Sequence, residues 1–117
     1  GAKYIIQSIQ DALKKRKEFA YIYKKGTKVY GQHLCIFFVS SKASTPKIGI
    51  SVGNKVGNAV IRNKIKRQLR HIMREFVPKM HNVNLVLLVY PEIVGTDFQH
   101  LRENVYKTLQ RGKILSE

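Results

Sequence analysis

The spacing of apolar residues along the chain predicts three helices and four strands. Apolar side chains recur every three or four residues in helices, and they alternate or run together in strands. On this basis the helices cover about residues 14–25, 58–76 and 96–109, and the strands cover residues 28–33, 34–39, 47–52 and 84–90. The order α-β-β-β-α-β-α predicts an α/β (α+β) two-layer sandwich, formed as a single domain by the 117 residues. Residues 1–13 fit either an additional helix or a disordered arm.

Two of the predicted strands indicate how the sheet is covered. The second strand alternates, with Leu34, Ile36 and Phe38 on one face and Cys35, Phe37 and Val39 on the other. One of these two sets must therefore lie outside the main core. The last strand contains a continuous apolar run at residues 85–89, which is typical of a central strand covered on both faces.

Polar residues and glycines mark the expected ends of the helices. Gly26 follows the first helix as a C-terminal cap, and Asn58 precedes the second as an N-terminal cap. Pro78 ends the second helix nearby. The sequence Thr96-Asp97-Phe98-Gln99 predicts a capping box, in which Thr96 and Gln99 satisfy the first backbone groups of the third helix.

Charge is the first guide to function. The 22 Lys and Arg residues outnumber the 7 Asp and Glu residues, and the formal net charge is +15. No acidic residue occurs between Glu18 and Glu75, a stretch that contains twelve Lys or Arg residues. A surface of one sign suits a polyanion such as a nucleic acid, whereas a merely soluble surface mixes both signs. A solvated basic surface without a partner is the plain alternative, and a membrane-surface role lacks the long helix with an aromatic-rich apolar face.

The expected compartment follows from the cysteine content and from the absence of long apolar runs. Cys35 lies in an apolar strand, so a buried, reduced thiol in a cytoplasmic protein is expected. No run of ~18 apolar residues is present, and no signal peptide is recognisable.

Helical winding divides the second helix into an apolar side and a basic side. The apolar stripe consists of Ile61, Ile65, Leu69, Ile72, Met73 and Phe76. The adjoining side consists of Arg62, Asn63, Lys66, Arg67, Arg70 and Arg74. Burying unpaired cations is costly, so this side must face solvent or phosphate. The amide of Asn63 is suited to a base or sugar contact, or to a bond with a neighbouring loop.

The segment around this helix resembles a known signature. Residues 54–67, Asn-Lys-Val-Gly-Asn-Ala-Val-Ile-Arg-Asn-Lys-Ile-Lys-Arg, closely resemble the RNR motif of the bacterial ribonuclease P protein family. Residues 17–26 resemble the first helix of that family and residues 47–52 its third strand, so the resemblance covers about residues 14–113. The signature is long and specific, unlike a lone glycine-rich triplet.

The resemblance implies a fold and a role. The fold would be that of the second domain of ribosomal protein S5, with a left-handed crossover from the third strand to the fourth, although ~98% of such crossovers are right-handed. The chain would be the non-catalytic protein subunit of an endoribonuclease that removes the 5′ leader of precursor tRNA. Catalysis would belong to a large RNA that binds most of the Mg²⁺, with none bound tightly by the protein. The implied partners are ribonuclease P RNA and precursor tRNA, with no membrane and no obligate protein partner.

The resemblance also assigns two binding surfaces. The residues expected to contact the catalytic RNA are Lys55, Asn58, Arg62, Asn63, Lys64, Lys66, Arg67 and Arg70. The single-stranded leader is expected in a cleft between the first helix and the sheet, lined by Phe19, Tyr23 and Phe37. Aromatic stacking suits a leader of variable sequence because every base has a π face. Phe19 fits core packing as well as a ligand-facing position, whereas the hydroxyl of Tyr23 favours a wet edge.

The chain departs from the family signature in two places. Gly53-Asn54-Lys55 stands where the family usually has Ser-Lys-Lys, so a cation is missing and a phosphate contact at position 54 is left open. Arg62-Asn63-Lys64 replaces Arg-Asn-Arg, which keeps the charge but loses a bidentate guanidinium fork.

The residues of the chain do not predict an active site within the protein. The acidic residues are scattered, without the clustered carboxylates that hold metal ions in protein nucleases. His33, His71, His81 and His100 lack zinc-site spacing and are expected to be surface or structural residues. A protein-only nuclease is therefore disfavoured. The main alternative is a ribosomal or chaperone-like RNA-binding protein, which would share the charge but would not need the signature.

Overall fold

The computed structural model describes residues 16–43 and 45–116. The helices are α1 (Arg16–Lys25), α2 (Ala59–Phe76) and α3 (Phe98–Arg111). The strands are β1 (Thr27–Gly31), β2 (Leu34–Ser40), β3 (Lys47–Val52) and β4 (Val83–Val89). This succession confirms the predicted α-β-β-β-α-β-α order. The expectation of an extra helix or arm at residues 1–13 lies outside the described residues.

The strands form one sheet in the order β1-β2-β4-β3. β2 is antiparallel to both β1 and β4, whereas β3 is parallel to β4. The apolar run of β4 thus lies inside the sheet, as its composition predicts. α2 connects the parallel strands β3 and β4, and the left hand that the family resemblance assigns to this crossover stays a prediction.

The two faces of the sheet are covered by different helices. α2 and α3 pack on the face that carries Leu34 and Ile36, and together they form the main core of the sandwich. α1 packs on the opposite face, where Ile22 meets Val86. Phe37 and Val39 belong to this second cluster, so the alternation of β2 divides its side chains between the two faces as predicted.

The stripe predicted for α2 is the buried side of the helix. Ile65, Leu69, Ile72, Met73 and Phe76 are all buried, and Ile61 at the first turn is half-buried. Leu101, Val105 and Leu109 of α3 complete this layer. The opposite side of α2 is left at the surface by this packing.

The capping box predicted for α3 is wrong, because the N-cap is Asp97 and not Thr96. Asp97 Oδ1 accepts a hydrogen bond from the backbone N–H of His100 at 2.8 Å. The same oxygen lies 2.8 Å from His100 Nδ1. These two hydrogen bonds lower the pKa of the Asp97 carboxyl. A carboxylate satisfies the helix start better than a hydroxyl does, since its negative charge also interacts with the positive end of the helix dipole.

Gly26 ends α1, but for a reason other than a left-handed cap. Its N–H donates to the carbonyl of Ile22 at 2.8 Å. Among the glycines of the described residues, a positive φ occurs at Gly95 and not at Gly26. A Cβ atom at position 26 would lie 2.4 Å from the Ile22 carbonyl oxygen and 3.0 Å from that of Phe38. Position 26 therefore requires glycine because a side chain there would collide with the last turn of α1 and would also crowd β2.

Candidate nucleic-acid interface

The start of α2 is held by its own side chains. Asn58 Oδ1 accepts a hydrogen bond from the N–H of Ile61 at 3.0 Å, which confirms the predicted N-cap. Arg62 Nε donates to the carbonyl of Gly57 at 3.1 Å, so this guanidinium folds back over the turn that precedes the helix. Lys55 is exposed in a short 3-10 turn immediately before that point.

The predicted cations lie along the exposed side of α2. We use the term α2 basic face for Lys55, Asn58, Arg62, Asn63, Lys66, Arg67, Arg70 and Arg74. Arg62, Lys66 and Arg70 are half-buried, and the other members are exposed. The apolar stripe of α2 occupies the sheet side, so packing of the core presents these cations to solvent.

Lys64 does not join the α2 basic face. It lies roughly 160° from Lys66 around the helix, given about 100° per residue. There it lines a cavity of about 350 Å³ between α2 and the loop before α3, together with Gln68 and Asp97. Lys64 is thus set apart from Lys66, although only about 60° around the helix separates it from Arg67.

Within the described residues, the ion pairs of the acidic side chains do not involve three cations of the face. Arg102 of α3 donates through Nε to Glu75 Oε1 at 2.9 Å and through Nη2 to Glu75 Oε2. This pairing lowers the pKa of the Glu75 carboxyl and turns the acid at the end of α2 toward α3. Within residues 16–43 and 45–116, Lys55, Lys66 and Arg67 have no carboxylate partner. These three cations of the α2 basic face therefore keep their charge available for a polyanion.

The second predicted surface is an aromatic groove formed by Phe19, Tyr23 and Phe37. The ring centroids of Phe19 and Tyr23 lie 6.3 Å apart, and those of Tyr23 and Phe37 lie 4.9 Å apart in an edge-to-face arrangement. All three side chains are half-buried, and the buried residues Ile22 and Val86 lie in the same cluster. The sequence left core packing and a ligand-facing position open for Phe19. In the structure its side chain packs in this cluster and also keeps accessible surface.

Two residues of β1 that the sequence analysis missed lie beside this groove. Lys28 stands opposite Phe37 in the strand register, and its Nζ lies 5.2 Å from the centroid of the Phe37 ring. The same Nζ lies 4.6 Å from the centroid of the Tyr30 ring. Tyr30 raises the pKa of the Lys28 ammonium through a hydrogen bond between the side chains. The alternation Lys28-Val29-Tyr30 could have predicted this position from the sequence. Val29 is buried on one face of β1, so its two neighbours lie on the other face.

The remaining candidate groups have structural roles or are dispersed. Cys35 is a buried free thiol, as expected, and burial raises its pKa. His33 has a positive φ of 66° in the turn before β2, and the ring of His71 lies 5.5 Å from that of Phe98. No group of three His, Cys, Asp or Glu side chains in the described part of the chain is arranged to hold a metal ion. In the same part, no helix has the length and apolar character needed to cross a membrane.

Comparison with known proteins decides the family. The family model for ribonuclease P matches residues 8–113, which include the α2 basic face and the aromatic groove. The chain belongs to the ribonuclease P protein family. The ribonuclease P protein component of Streptococcus mutans is 30% identical over 105 residues, which cover 90% of this chain and 88% of that protein.

Solved structures of the ribonuclease P protein family share the fold. A mutant RNase P protein from Staphylococcus aureus superposes with a TM-score of 0.85 at 26% identity, over 96% of this chain and 98% of that one. The RNase P protein from Thermotoga maritima gives a TM-score of 0.78 at 27% identity, over 85% of this chain and 94% of that one. The order of helices and strands is therefore that of the ribonuclease P proteins.

Proposed function

We propose that this chain is the protein cofactor of a cytoplasmic ribonuclease P ribonucleoprotein. It binds the catalytic RNA and the 5′ leader of precursor tRNA, and it promotes endonucleolytic removal of the leader to give the mature tRNA 5′ end. Membership of the ribonuclease P family supports assembly with an RNA subunit. The observation that carries the proposal is the α2 basic face, whose cations include residues without carboxylate partners in the described structure.

The α2 basic face is proposed to bind the catalytic RNA. Lys55, Lys66 and Arg67 provide charge for phosphates, and Arg62 lies at the helix start where the dipole adds to the attraction for anions. Asn58 and Asn63 offer amide groups between these cations. Lys64 and Arg70 belong to the same proposed contact, Lys64 from the neighbouring side of the helix.

The aromatic groove is proposed to bind the leader of the substrate. Stacking on Phe19, Tyr23 and Phe37 does not depend on base identity, so one groove serves precursors with different leaders. Mature tRNA has no leader and cannot make this contact. Binding in the groove therefore favours substrate over product.

Hydrolysis itself is assigned to the RNA subunit and its Mg²⁺ ions. The seven acidic residues of the chain are scattered along the sequence, and Glu75, Asp97 and Glu103 pair with basic side chains in the structure. The contribution of the protein is to lower the repulsion between RNA phosphates, which strengthens Mg²⁺ binding by the RNA indirectly.

The proposal is tested by reconstitution. The purified protein is added to a ribonuclease P RNA and a precursor tRNA at a Mg²⁺ concentration too low for the RNA alone to cleave. Restored cleavage at the mature 5′ end is the expected result. Cleavage without the RNA would instead identify a protein nuclease, and RNA binding without any cleavage would identify a general RNA-binding protein.

Tyr23→Ala tests the leader groove. Stacking contributes about 1–3 kcal/mol per base, so the holoenzyme should bind precursor tRNA roughly tenfold more weakly. Binding of mature tRNA should be unchanged, because it does not enter the groove. Tyr23→Phe keeps the ring and should behave as the unmodified protein does. An equal loss for precursor and mature tRNA would remove the groove from the proposal.

A further inference from the structure

We infer that Lys28 and Tyr30 form an additional nucleotide subsite, which extends the aromatic groove across β1 to the edge of the sheet. The inference rests on the proposed function, because its occupant is the same single-stranded leader. It concerns residues that lie outside the three aromatic positions assigned by the family resemblance.

The strand register places this subsite next to the groove. Residues alternate along β1, so Lys28 and Tyr30 lie on one face and buried Val29 on the other. Lys28 pairs with Phe37 and Tyr30 with Cys35, so both side chains stand on the sheet face that α1 partly covers. Tyr30 is 56% exposed, which is unusual for a large aromatic side chain and leaves its ring available for stacking.

The chemistry of the pair matches one repeat of a single strand of RNA. The Lys28 ammonium lies 4.6 Å from the centroid of the Tyr30 ring and 5.2 Å from that of Phe37, so it stands between two rings. A single strand alternates bases with phosphates, and proteins that bind it combine stacking rings with cations along one groove. Phe37 and Tyr30 can each take a base, with Lys28 at the phosphate between them.

The backbone beneath the subsite is fixed before any RNA binds. An Nη atom of Arg111 donates to the carbonyl of Tyr30, which ties the outer edge of β1 to the end of α3. Gly31 lies so close to α3 that a Cβ atom there would be 1.9 Å from Thr108 Oγ1. Because the strand is held in place, the ring of Tyr30 can be stacked on without an ordering cost in the backbone.

The position of the subsite favours the leader over the catalytic RNA as its occupant. α2 packs on the sheet face that carries Leu34 and Ile36, whereas Lys28 and Tyr30 lie on the opposite face with Phe37. A strand of RNA that leaves the aromatic groove toward β1 reaches Tyr30 directly. An RNA bound along the α2 basic face lies on the other side of the sheet.

The subsite is tested with precursor tRNAs whose leaders are shortened one nucleotide at a time. The affinity of the reconstituted holoenzyme for each is measured against its affinity for mature tRNA. With the unmodified protein, affinity should rise with leader length until the groove and the subsite are filled. With Tyr30→Ala it should stop rising one nucleotide earlier, and long leaders should bind about five- to tenfold more weakly. Lys28→Gln should reduce the salt dependence for long leaders only.

Two controls accompany these variants. Tyr30→Phe keeps the ring but loses the hydroxyl that bonds to Lys28, so affinity should still rise up to the same leader length as with the unmodified protein. Tyr21 is 58% exposed and lies on the other flank of α1, beside Lys47 and Asn84, so Tyr21→Ala removes an equally exposed ring outside the groove. Its leader dependence should be unchanged.

The outcomes separate the subsite from the groove. If Tyr30→Ala matches Tyr21→Ala at every length while Tyr23→Ala still weakens precursor binding, the subsite is overturned and the proposed function stands. If Tyr30→Ala weakens mature and precursor tRNA equally, Tyr30 contacts another part of the particle and the subsite is again overturned. If Tyr23→Ala has no effect on any leader, the leader groove itself fails, and the subsite falls with it.

Discussion

Asn58 has a structural role at the start of α2 that does not depend on a partner. Its Oδ1 is occupied by the N–H of Ile61, so the side chain satisfies one of the free donors at the start of α2. The residue is exposed, and within the described residues its amide NH₂ group makes no hydrogen bond. A role in RNA binding, as proposed from the family signature, can therefore use the NH₂ group and the second lone pair of the oxygen without breaking the cap.

The replacement Asn58→Ala should lower the free energy of unfolding by about 0.5–2 kcal/mol, because a capped N–H loses its acceptor. Urea denaturation of the free protein measures this loss. Asn58→Ser retains a capping oxygen and should recover most of the stability. Equal stability of the alanine and serine variants would contradict the assigned cap.

Which residue caps a helix could be predicted from sequence in one case and not in the other. Asn58 stood alone as a capping residue before α2. Before α3, Thr96 and Asp97 are adjacent candidates, and the sequence pattern favoured Thr96 because Gln99 follows at the spacing of a capping box. The structure uses Asp97, whose carboxylate binds both the backbone N–H and the ring of His100.

At the scale of elements, α2 and α3 are joined at their surface by one ion pair. Arg102 holds the pKa of Glu75 below its ordinary value of 4.5, mainly through a hydrogen bond between the side chains. A carboxyl whose pKa is lower in the folded state stabilises the fold at pH values above its unfolded pKa. That contribution is lost as the pH falls through the folded pKa.

Glu75→Gln should therefore lower the melting temperature at pH 7 and reduce its further fall on acidification. Both side chains are more than two fifths exposed, at 42% and 44%, so solvent screening keeps the effect small. Melting curves at pH 7 and pH 3 measure it. Glu103→Gln removes a carboxylate that pairs with Lys107 within α3. It should change the difference in melting temperature between pH 7 and pH 3 less, since this pair does not join two elements. A Glu75 variant with the acid sensitivity of the unmodified protein would contradict the coupling.

The arrangement of elements was more predictable than the contacts between them. The apolar run of β4 indicated a strand covered on both faces, and both faces of the sheet are covered. The pattern did not indicate which helix covers which face, since all three helices carry an apolar stripe. Lys28 and Tyr30 were missed because an edge strand of five residues has few side chains from which to assign its faces.

On the basic side of α2, the sequence predicted some neighbouring side chains correctly and grouped one wrongly. Helical winding placed Arg62, Lys66 and Arg70 together, and the structure leaves all three at the surface. Lys64 was grouped with them by its place in the signature, although the winding puts it on another side of the helix. A sequence motif lists neighbours along the chain, whereas a binding surface is formed by neighbours around the helix.

The whole molecule carries a net charge of +15. For RNA binding, the positions of the cations on the surface matter more than the net charge. Removing two cations anywhere lowers the net charge equally. Removing them from the α2 basic face should also remove individual phosphate contacts, each of which releases counterions on binding.

A double variant, Lys66→Gln with Arg67→Gln, should weaken binding to the catalytic RNA and flatten the dependence of log K on log salt by about 1–2. Neither side chain has a hydrogen bond or ion pair within the described structure, so the fold should be preserved. Lys107→Gln with Lys113→Gln removes the same charge outside α2 and should leave the slope nearly unchanged. Filter-binding titrations at several salt concentrations provide the measurement, and equal slopes for the two double variants would contradict a specific basic face.

The central place of β4 has a consequence for how the chain is made. β2 and β3 do not pair with each other, and each pairs with β4. While the ribosome is still adding residues before Val83, the β1–β2 hairpin and β3 have no common partner, and the apolar stripe of α2 has no complete sheet beneath it. The four-stranded sheet can therefore form only after the seven residues of β4 have been synthesised. A nascent chain that stalls before β4 exposes apolar surface that can aggregate with other chains.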